Sequence, residues 1–245
     1  MLTGVVLTKN EQENLDRCLE SLKFCDAILV IDDNSTDDTV KIAQKASAKV
    51  FNHALRDDFA AQRNFALSQV SSDWVLFVDA DEVVSSDLAS EIKRRILKGD
   101  SFSGFSVHRV DFLWGKQFKH GDVGNIKLLR LARRQAGEWQ GRVHETWHVK
   151  GPTGELKNPL LHYPHSSLTA FLQRINLYST IRASELKSQN HKTSIFEIIF
   201  YPIGKFLKLW IWDLGFADGT TGFIHAMTMA FYSFLVRGKL WLSYY

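Results

Sequence analysis

Three carboxylates within four positions, Asp79, Asp81 and Glu82, form the most chemically distinctive stretch of this 245-residue chain. They follow an apolar run at residues 74–78, which has the length and composition of a strand buried on both faces. Acids this close repel one another unless a cation neutralises them, and a hard divalent cation prefers oxygen ligands. The stretch therefore indicates a divalent-metal site at the end of a strand; the alternative is a solvated acidic turn.

The segments that must position these acids alternate between strand-like and helical patterns. Strand patterns lie at residues 2–7, 27–31, 49–51 and 74–78, and helical spacing lies at residues 14–22, 39–46 and 59–70. This alternation is typical of βαβ units with a parallel sheet. Polar clusters at residues 8–11 and 32–35 follow the first two strands, and right-handed crossovers place such strand ends on one edge. We expect all three polar clusters to meet in one site.

Composition and short motifs exclude several classes of protein. The apolar fraction of 45% and charged fraction of 23% are ordinary for a globular protein, and a net charge of +3 is too small to indicate nucleic-acid binding. No Gly-x-Gly-x-x-Gly follows the first strand and no Gly-Lys-Ser/Thr occurs, so neither a dinucleotide-binding Rossmann motif nor a P-loop is indicated. Phosphates at this edge would be held by a metal and by side chains.

Cellular location is predicted from the cysteines and from the amino terminus. Cys18 and Cys25 fit neither a disulfide framework nor a zinc spacing, which favours a reducing compartment. A strand that begins at Leu2 leaves no room for a signal peptide. We expect a cytoplasmic protein.

Three motifs resemble signatures of family 2 glycosyltransferases, which have the GT-A fold. They are Val-Ile-Asp-Asp-Asn-Ser-Thr-Asp-Asp-Thr at residues 30–39, Ala-Gln-Arg-Asn-Phe-Ala at residues 61–66, and Asp79-Ala80-Asp81. Their order and spacing match over residues 2–100. The resemblance implies an α/β protein with a Rossmann-like, mostly parallel mixed sheet and helices on both faces. It also implies a UDP-sugar donor and a divalent cation, Mn²⁺ or Mg²⁺.

The resemblance further implies which residues bind the donor. These residues are Thr8, Asn10, Glu11, Asp33, Arg63, Asp79 and Asp81. Asp33 would contact the uracil, and Asp81 would bind the cation that bridges the diphosphate, with Asp79 toward the ribose or the metal. Arg63 would lie near the base or diphosphate; the alternative is a surface ion pair with Asp57 or Asp58.

The catalytic base departs from the family pattern. Inverting transfer needs a general base opposite the leaving group. Family 2 enzymes carry a Glu-Asp pair near this point, whereas this chain has Val143-His144-Glu145, in the manner of one subgroup. We predict Glu145 as the base; the alternatives are His144 as the base, or a structural pair between Glu145 and Arg142.

His162 is a candidate metal ligand. It lies three positions before His165, but no third soft ligand is spaced for zinc. In GT-A enzymes a C-terminal histidine sometimes completes the metal site. The resemblance therefore implies that role for His162, and a structural histidine is the alternative.

The last fifty-five residues are rich in aromatic side chains and poor in acids. Apolar runs at residues 195–212 and 223–236, joined by a glycine-rich turn at 215–222, fall short of the roughly twenty residues that span a bilayer. Aromatics beside lysines fit a monotopic hairpin on the inner face of the cytoplasmic membrane. The alternative is a helical pair packed on the catalytic domain or on a second subunit, which would make a homo-oligomer.

We predict a GT-A catalytic domain at residues 1–190, divided into a nucleotide half (1–100) and an acceptor half (101–190), and a membrane-interface extension at 191–245. Val-His-Glu, His-Tyr-Pro-His and this extension together resemble bacterial lipopolysaccharide inner-core β-glucosyltransferases. The resemblance implies transfer of glucose from UDP-glucose to a heptose of a lipid-linked saccharide. A polyprenyl phosphate, another glycolipid or a capsule precursor are alternative acceptors, and a scaffold without turnover is the alternative outside enzymes.

Overall fold

The computed structural model describes residues 1–56, 58–99, 101–120, 126–141, 145–164 and 167–244. The chain divides into two compact units: Met1–Arg109 with Ile126–His162, and Val110–Asn125 with Tyr163–Tyr245. The predicted division into a catalytic domain at residues 1–190 and a membrane-interface extension at 191–245 assigns functions to these segments, and it stays a prediction.

The described strands and helices confirm the predicted alternation between residues 2 and 78. The strands are β1 (Leu2–Thr8), β2 (Ala27–Asp32), β3 (Lys49–Asn52), β4 (Trp74–Asp79), β5 (Glu82–Val84), β6 (Gly104–Leu113), β7 (Lys116–Gln117), β8 (Ile126–Arg133), β9 (Gly137–Gln140), β10 (Thr146–Val149), β11 (Thr153–Glu155) and β12 (Leu160–His162). The helices are α1 (Leu15–Ser21), α2 (Thr39–Lys45), α3 (Phe59–Gln69), α4 (Ser86–Leu97), α5 (Leu168–Ser188), α6 (Ile195–Leu207) and α7 (Gly219–Leu242). Helix α4 and the short strands β5, β7 and β9–β12 are not predicted from the sequence.

The main sheet has the strand order β3-β2-β1-β4-β8-β6-β12-β5. Strands β3, β2, β1 and β4 run parallel, whereas β8 is antiparallel to both β4 and β6, and β5 is antiparallel to β12. The amino-terminal half is therefore a set of βαβ units, to which antiparallel strands are added. The predicted α/β class with a mixed sheet is confirmed.

Helices cover both faces of this sheet because its central strands are apolar on both faces. Val6, Val30 and Val78 pack with α1, α2 and α4 in one buried cluster. Val5, Ile31 and Phe77 belong to the other, which includes α3 and the β9–β10 hairpin. Both clusters lie in the first unit and fix the strand ends that carry the polar residues.

Phe77 is expected to be a large contributor to the stability of the first unit. Its ring is fully buried and makes edge-to-face contacts with Trp139 and Trp147, both at 5.1 Å between ring centroids. Phe77→Ala should lower the free energy of unfolding by about 3–5 kcal/mol, because the cavity adds to the lost burial. Urea denaturation measures this. Leu97→Ala, at a side chain that is 84% exposed, is the control and should change stability by less than about 0.5 kcal/mol.

The second unit is mainly helical. Helix α6 begins with a capping box between Ser194 and Glu197, then continues into a π-helical turn, Lys208–Trp212. The predicted glycine-rich turn at residues 215–222 is only partly correct, because α7 already begins at Gly219. A Cβ at Gly222 would lie 2.0 Å from the carbonyl oxygen of Gly215, so this glycine permits close backbone contact inside the helix.

Most of the large apolar side chains of α6 and the π-helical turn are exposed, although Leu209 is buried. No residue of α6 is buried. The large exposed side chains here are Ile195, Phe196, Ile199, Phe200, Tyr201, Ile203, Leu207, Ile211 and Trp212. None of the described helices combines the length and the apolar character that crossing a bilayer requires.

Candidate active site

The ends of β1, β2 and β4 meet at one edge of the sheet, as predicted. Thr8 pairs with Asp32 across β1 and β2, and Leu7 pairs with Asp79 across β1 and β4. The backbone N–H of Asp33 donates to the carbonyl oxygen of Thr8 at 2.9 Å. The parallel register thus places all three polar clusters together.

Asp33 is held in place by two donors. Its Oδ2 accepts from Lys9 Nζ at 2.8 Å, and its Oδ1 accepts from the backbone N–H of Leu55 at 2.9 Å. A carboxylate has about four lone-pair sites, so these bonds leave capacity for a further donor. Thr8 Oγ1 is buried without a hydrogen-bond partner among the described residues. The roles predicted for Asp33 and Thr8 in nucleoside binding stay predictions.

Asn10 and Glu11 connect the end of β1 to the segment after β2. Asn10 adopts a left-handed backbone (φ 54°), and its N–H donates to Ser35 Oγ at 2.9 Å. Its Oδ1 accepts from the N–H of Thr36 at 2.8 Å. The N–H of Glu11 donates to Thr39 Oγ1 at 2.8 Å. These bonds fix the loop in which both residues lie, and their predicted contacts with a nucleoside stay predictions.

Asp79 lies between two guanidinium groups. Its Oδ1 accepts from Arg63 Nη2 at 2.9 Å, and its Oδ2 accepts from Arg130 Nη2 at 2.6 Å. Burial by itself raises the pKa of Asp79, but the charges of Arg130 and Arg63 outweigh it and hold that pKa well below its usual range. Asp79 is therefore ionised and already neutralised by arginines, so the structure gives it an electrostatic partner other than a metal.

Arg63, on α3, donates to two carboxylates of the site, those of Asp79 and Glu145. Its side chain is 5% exposed, lies 4.6 Å from the ring centroid of Trp139, and donates from Nε to Glu145 Oε1 at 2.8 Å. Arg63 is thus buried and does not form the alternative surface pair with Asp58, whose carboxylate caps α3 instead. Asp57 lies outside the described residues. Arg63 Nη1 is buried and has no hydrogen-bond partner in the described part of the chain.

Glu145 lies just before β10, and its side chain is 14% exposed. The structure pairs it with Arg63. Its alternative partner Arg142 and the alternative base His144 both lie outside the described residues. The role of Glu145 as base stays a prediction.

Asp81 and His162 lie side by side, with 3.3 Å between Oδ2 and Nε2. The antiparallel pairing of β5 with β12 brings them together, because Glu82 is opposite His162. One carboxylate and one imidazole suit Mn²⁺, and two protein ligands leave positions for diphosphate oxygens. Among the described residues no group of three or more His, Cys, Asp or Glu side chains could hold a metal by itself. The metal roles of Asp81 and His162 stay predictions.

The sequence does not indicate Arg130 as a site residue, and it groups Glu82 with the two aspartates as an acid of the metal site, whereas the structure buries Glu82 in a pair with Arg130. Burial raises the pKa of the Glu82 carboxyl, the charge of Arg130 opposes this, and that of Asp79 adds to it. The available signal was an arginine inside the apolar run Leu128-Leu129-Arg130-Leu131-Ala132, since a buried arginine needs a buried acid.

The sequence was compared with known proteins. The family model for glycosyl transferase family 2 matches residues 4–150. The lipopolysaccharide core biosynthesis glycosyltransferase LpsC of Rhizobium meliloti is 30% identical over 247 residues, covering 98% of this chain and 92% of LpsC. The uncharacterized glycosyltransferase RT0209 of Rickettsia typhi is 29% identical over 252 residues, covering 98% of this chain and 86% of that protein.

Solved structures give weaker likenesses. S. aureus TarS 1–349 has a TM-score of 0.48 at 15% identity, covering 99% of this chain and 90% of the TarS chain. Glucosyl-3-phosphoglycerate synthase from Mycobacterium tuberculosis, in complex with Mn²⁺, UDP and phosphoglyceric acid, has a TM-score of 0.47 at 16% identity, covering 76% and 78%.

The family model spans more than half of the chain, and LpsC is similar over nearly the whole of it. The chain therefore belongs to family 2 of the glycosyltransferases, and it is a glycosyltransferase that resembles an enzyme of lipopolysaccharide core biosynthesis.

Proposed function

We propose that this glycosyltransferase moves a sugar, with glucose as the expected one, from a UDP-sugar to a hydroxyl of a lipid-linked saccharide such as the heptose of the lipopolysaccharide inner core. The observation that carries the proposal is the sheet edge where Asp81 lies beside His162 and Arg63 joins Asp79 to Glu145. The similarity to LpsC supports a saccharide of the lipopolysaccharide core as the acceptor.

The transfer is a single in-line displacement with inversion. Glu145 accepts the proton of the acceptor hydroxyl, whose oxygen forms a bond to the anomeric carbon. The bond from that carbon to the diphosphate oxygen breaks, and its electron pair leaves with UDP. Arg63 holds Glu145 through a charge-assisted hydrogen bond, which fixes the direction from which the proton is taken.

Asp81 and His162 are the residues that would hold a divalent cation, which when bound neutralises charge that develops on the diphosphate. Arg63 Nη1 supports an anionic ligand at the same edge, because a buried guanidinium donor without a partner is costly until a ligand accepts from it. Asp33 and Thr8, at the ends of β2 and β1, would contact the nucleoside.

A thermal-shift panel identifies the donor. UDP-glucose with Mn²⁺ should raise the melting temperature more than UDP-galactose, UDP-N-acetylglucosamine, GDP-glucose or ADP-glucose. Ligand at a hundred times its Kd adds about 2.7 kcal/mol to the free energy of unfolding, which is easily resolved. Release of UDP on addition of a lipopolysaccharide-core acceptor then measures transfer. A larger shift with a purine nucleotide sugar would contradict the assignment of the donor.

The acceptor is anchored in lipid, and we propose that the protein acts at the inner face of the cytoplasmic membrane. Helix α6 and the π-helical turn carry exposed apolar side chains together with Lys205 and Lys208. Apolar side chains beside lysines favour the interface of a membrane that contains anionic lipids.

Vesicle flotation tests this location. The native protein should float with phosphatidylglycerol-containing vesicles, and the double variant Phe196→Asp/Trp212→Asp should bind at least about tenfold less, because each large side chain contributes about 1.5–3 kcal/mol when buried. Leu97→Asp, which changes an exposed apolar side chain in the first unit, is the control. A native protein that ignores vesicles and forms a dimer lost in the double variant would favour a second subunit as the partner.

A further inference from the structure

Glu82 is a fully buried carboxylate placed at the centre of the site. Its Oε2 accepts from the backbone N–H of Asp79 at 2.9 Å, and its Oε1 accepts from Arg130 Nη2 at 3.1 Å. Arg109 Nη1 lies 3.9 Å from the same Oε1. Glu82 thus contacts the backbone of the Asp79–Asp81 turn without reaching a solvent-facing position.

Arg130 binds both Glu82 and Asp79. The same Nη2 that donates to Glu82 also donates to Asp79 Oδ2 at 2.6 Å. Glu82 therefore fixes the main chain of Asp79, while Arg130 fixes its side chain. The two constraints meet two residues before Asp81, the predicted cation ligand.

Strand pairing also connects Glu82 to His162, the second predicted cation ligand. Glu82 is the first residue of β5, and it lies opposite His162 on β12. A shift of the Glu82 backbone would move the strand that sets His162 beside Asp81. Removing one member of a buried charged pair is strongly unfavourable, so this arrangement resists displacement.

We propose that Glu82 and Arg130 are positioning residues for the cation site. They hold the turn that carries Asp81 and the strand β5, which pairs with the β12 strand of His162, without touching the substrate. The inference rests on the proposed function, since it assumes that a divalent cation binds with the UDP-sugar. It concerns residues for which the sequence motif gives no role.

The first test is Glu82→Gln, measured by Mn²⁺ binding in the presence of UDP with electron paramagnetic resonance. Glutamine keeps the shape, but its amide nitrogen must face either Arg130 or the N–H of Asp79, and two donors repel. Residues that orient metal ligands typically change metal affinity by about 10–100-fold, and we expect a loss of affinity in that range. Raising the Mn²⁺ concentration should restore most of the kcat that the variant loses at low Mn²⁺.

Glu91→Gln is the matched control. Glu91 is also a buried glutamate of the first unit, and its carboxylate accepts from the backbone N–H groups of Lys157 and Asn158 at 3.0 Å. Glu91 lies on α4, so the substitution removes a buried carboxylate from the same unit but outside the Asp79–Glu82 segment. It should alter thermal stability but leave Mn²⁺ affinity unchanged.

Arg130→Lys provides a second, independent variant. Lysine keeps the charge but has one nitrogen, so it cannot reproduce the contact in which Arg130 Nη2 and Nη1 donate to the two oxygens of Asp79. Mn²⁺ affinity should therefore fall here as well. Native Mn²⁺ affinity in a folded Glu82→Gln or Arg130→Lys protein would overturn the inference. Failure of both variants to fold would also overturn it, because the Glu82–Arg130 pair would then be purely structural. If the native protein bound no Mn²⁺ with UDP, the proposed function itself would fail.

Discussion

Asp81→Ala is expected to lower kcat by at least about a hundredfold, because a direct ligand should matter more than the residues that orient it. Asp81 is placed next to His162, and Asp79 is already neutralised by Arg63 and Arg130. Asp79 therefore cannot replace the lost carboxylate without breaking two ion pairs. Steady-state release of UDP measures the effect, and EDTA should produce the same loss in the native protein.

Asp73→Ala is the control for that substitution. Asp73 directly precedes β4, at the strand end opposite to Asp79, and its side chain is exposed. The substitution removes a carboxylate next to the same strand, at the end away from the site, so kcat should stay native. Turnover near the native level in Asp81→Ala, or in the native protein after EDTA, would reject the metal role of Asp81.

Glu145→Gln should lower kcat by about 10²–10⁴-fold, the usual contribution of a general base. The amide oxygen can still accept from Arg63 Nε, so the arrangement around Asp79 should survive. Donor affinity is therefore expected to change little, and the thermal shift with UDP-sugar and Mn²⁺ should persist. The loss of kcat with retained donor binding is the pattern of a group that acts only in the chemical step.

Glu138→Gln is the matched control, because Glu138 is an exposed carboxylate of the same β9–β10 hairpin.

His144→Asn separates the two candidate bases. If Glu145 is the base, His144→Asn keeps most activity; if Glu145→Gln is fully active and His144→Asn is not, the base is His144. Loss of donor binding in Glu145→Gln would instead make the Arg63–Glu145 pair part of the donor site.

Local patterns of the sequence were sufficient for the architecture of the first unit. Apolar runs of five or six residues separated by helical spacing predict βαβ units, and the handedness of their connections predicts which strand ends meet. The polar clusters that follow β1, β2 and β4 were therefore placed correctly on one edge. Short strands such as β5 and β12 were missed, because three residues carry too little periodicity to be distinguished from loops.

By itself, the sequence determined the family, the α/β class and the short list of polar residues at the sheet edge, because each depends on composition and spacing within a few tens of residues. Tertiary structure alone decided how those residues are paired. Arg63 meets Glu145 across 82 positions and Arg130 meets Asp79 across 51. A buried charge is stabilised by whichever opposite charge the fold brings within hydrogen-bonding distance, and no local pattern encodes that choice.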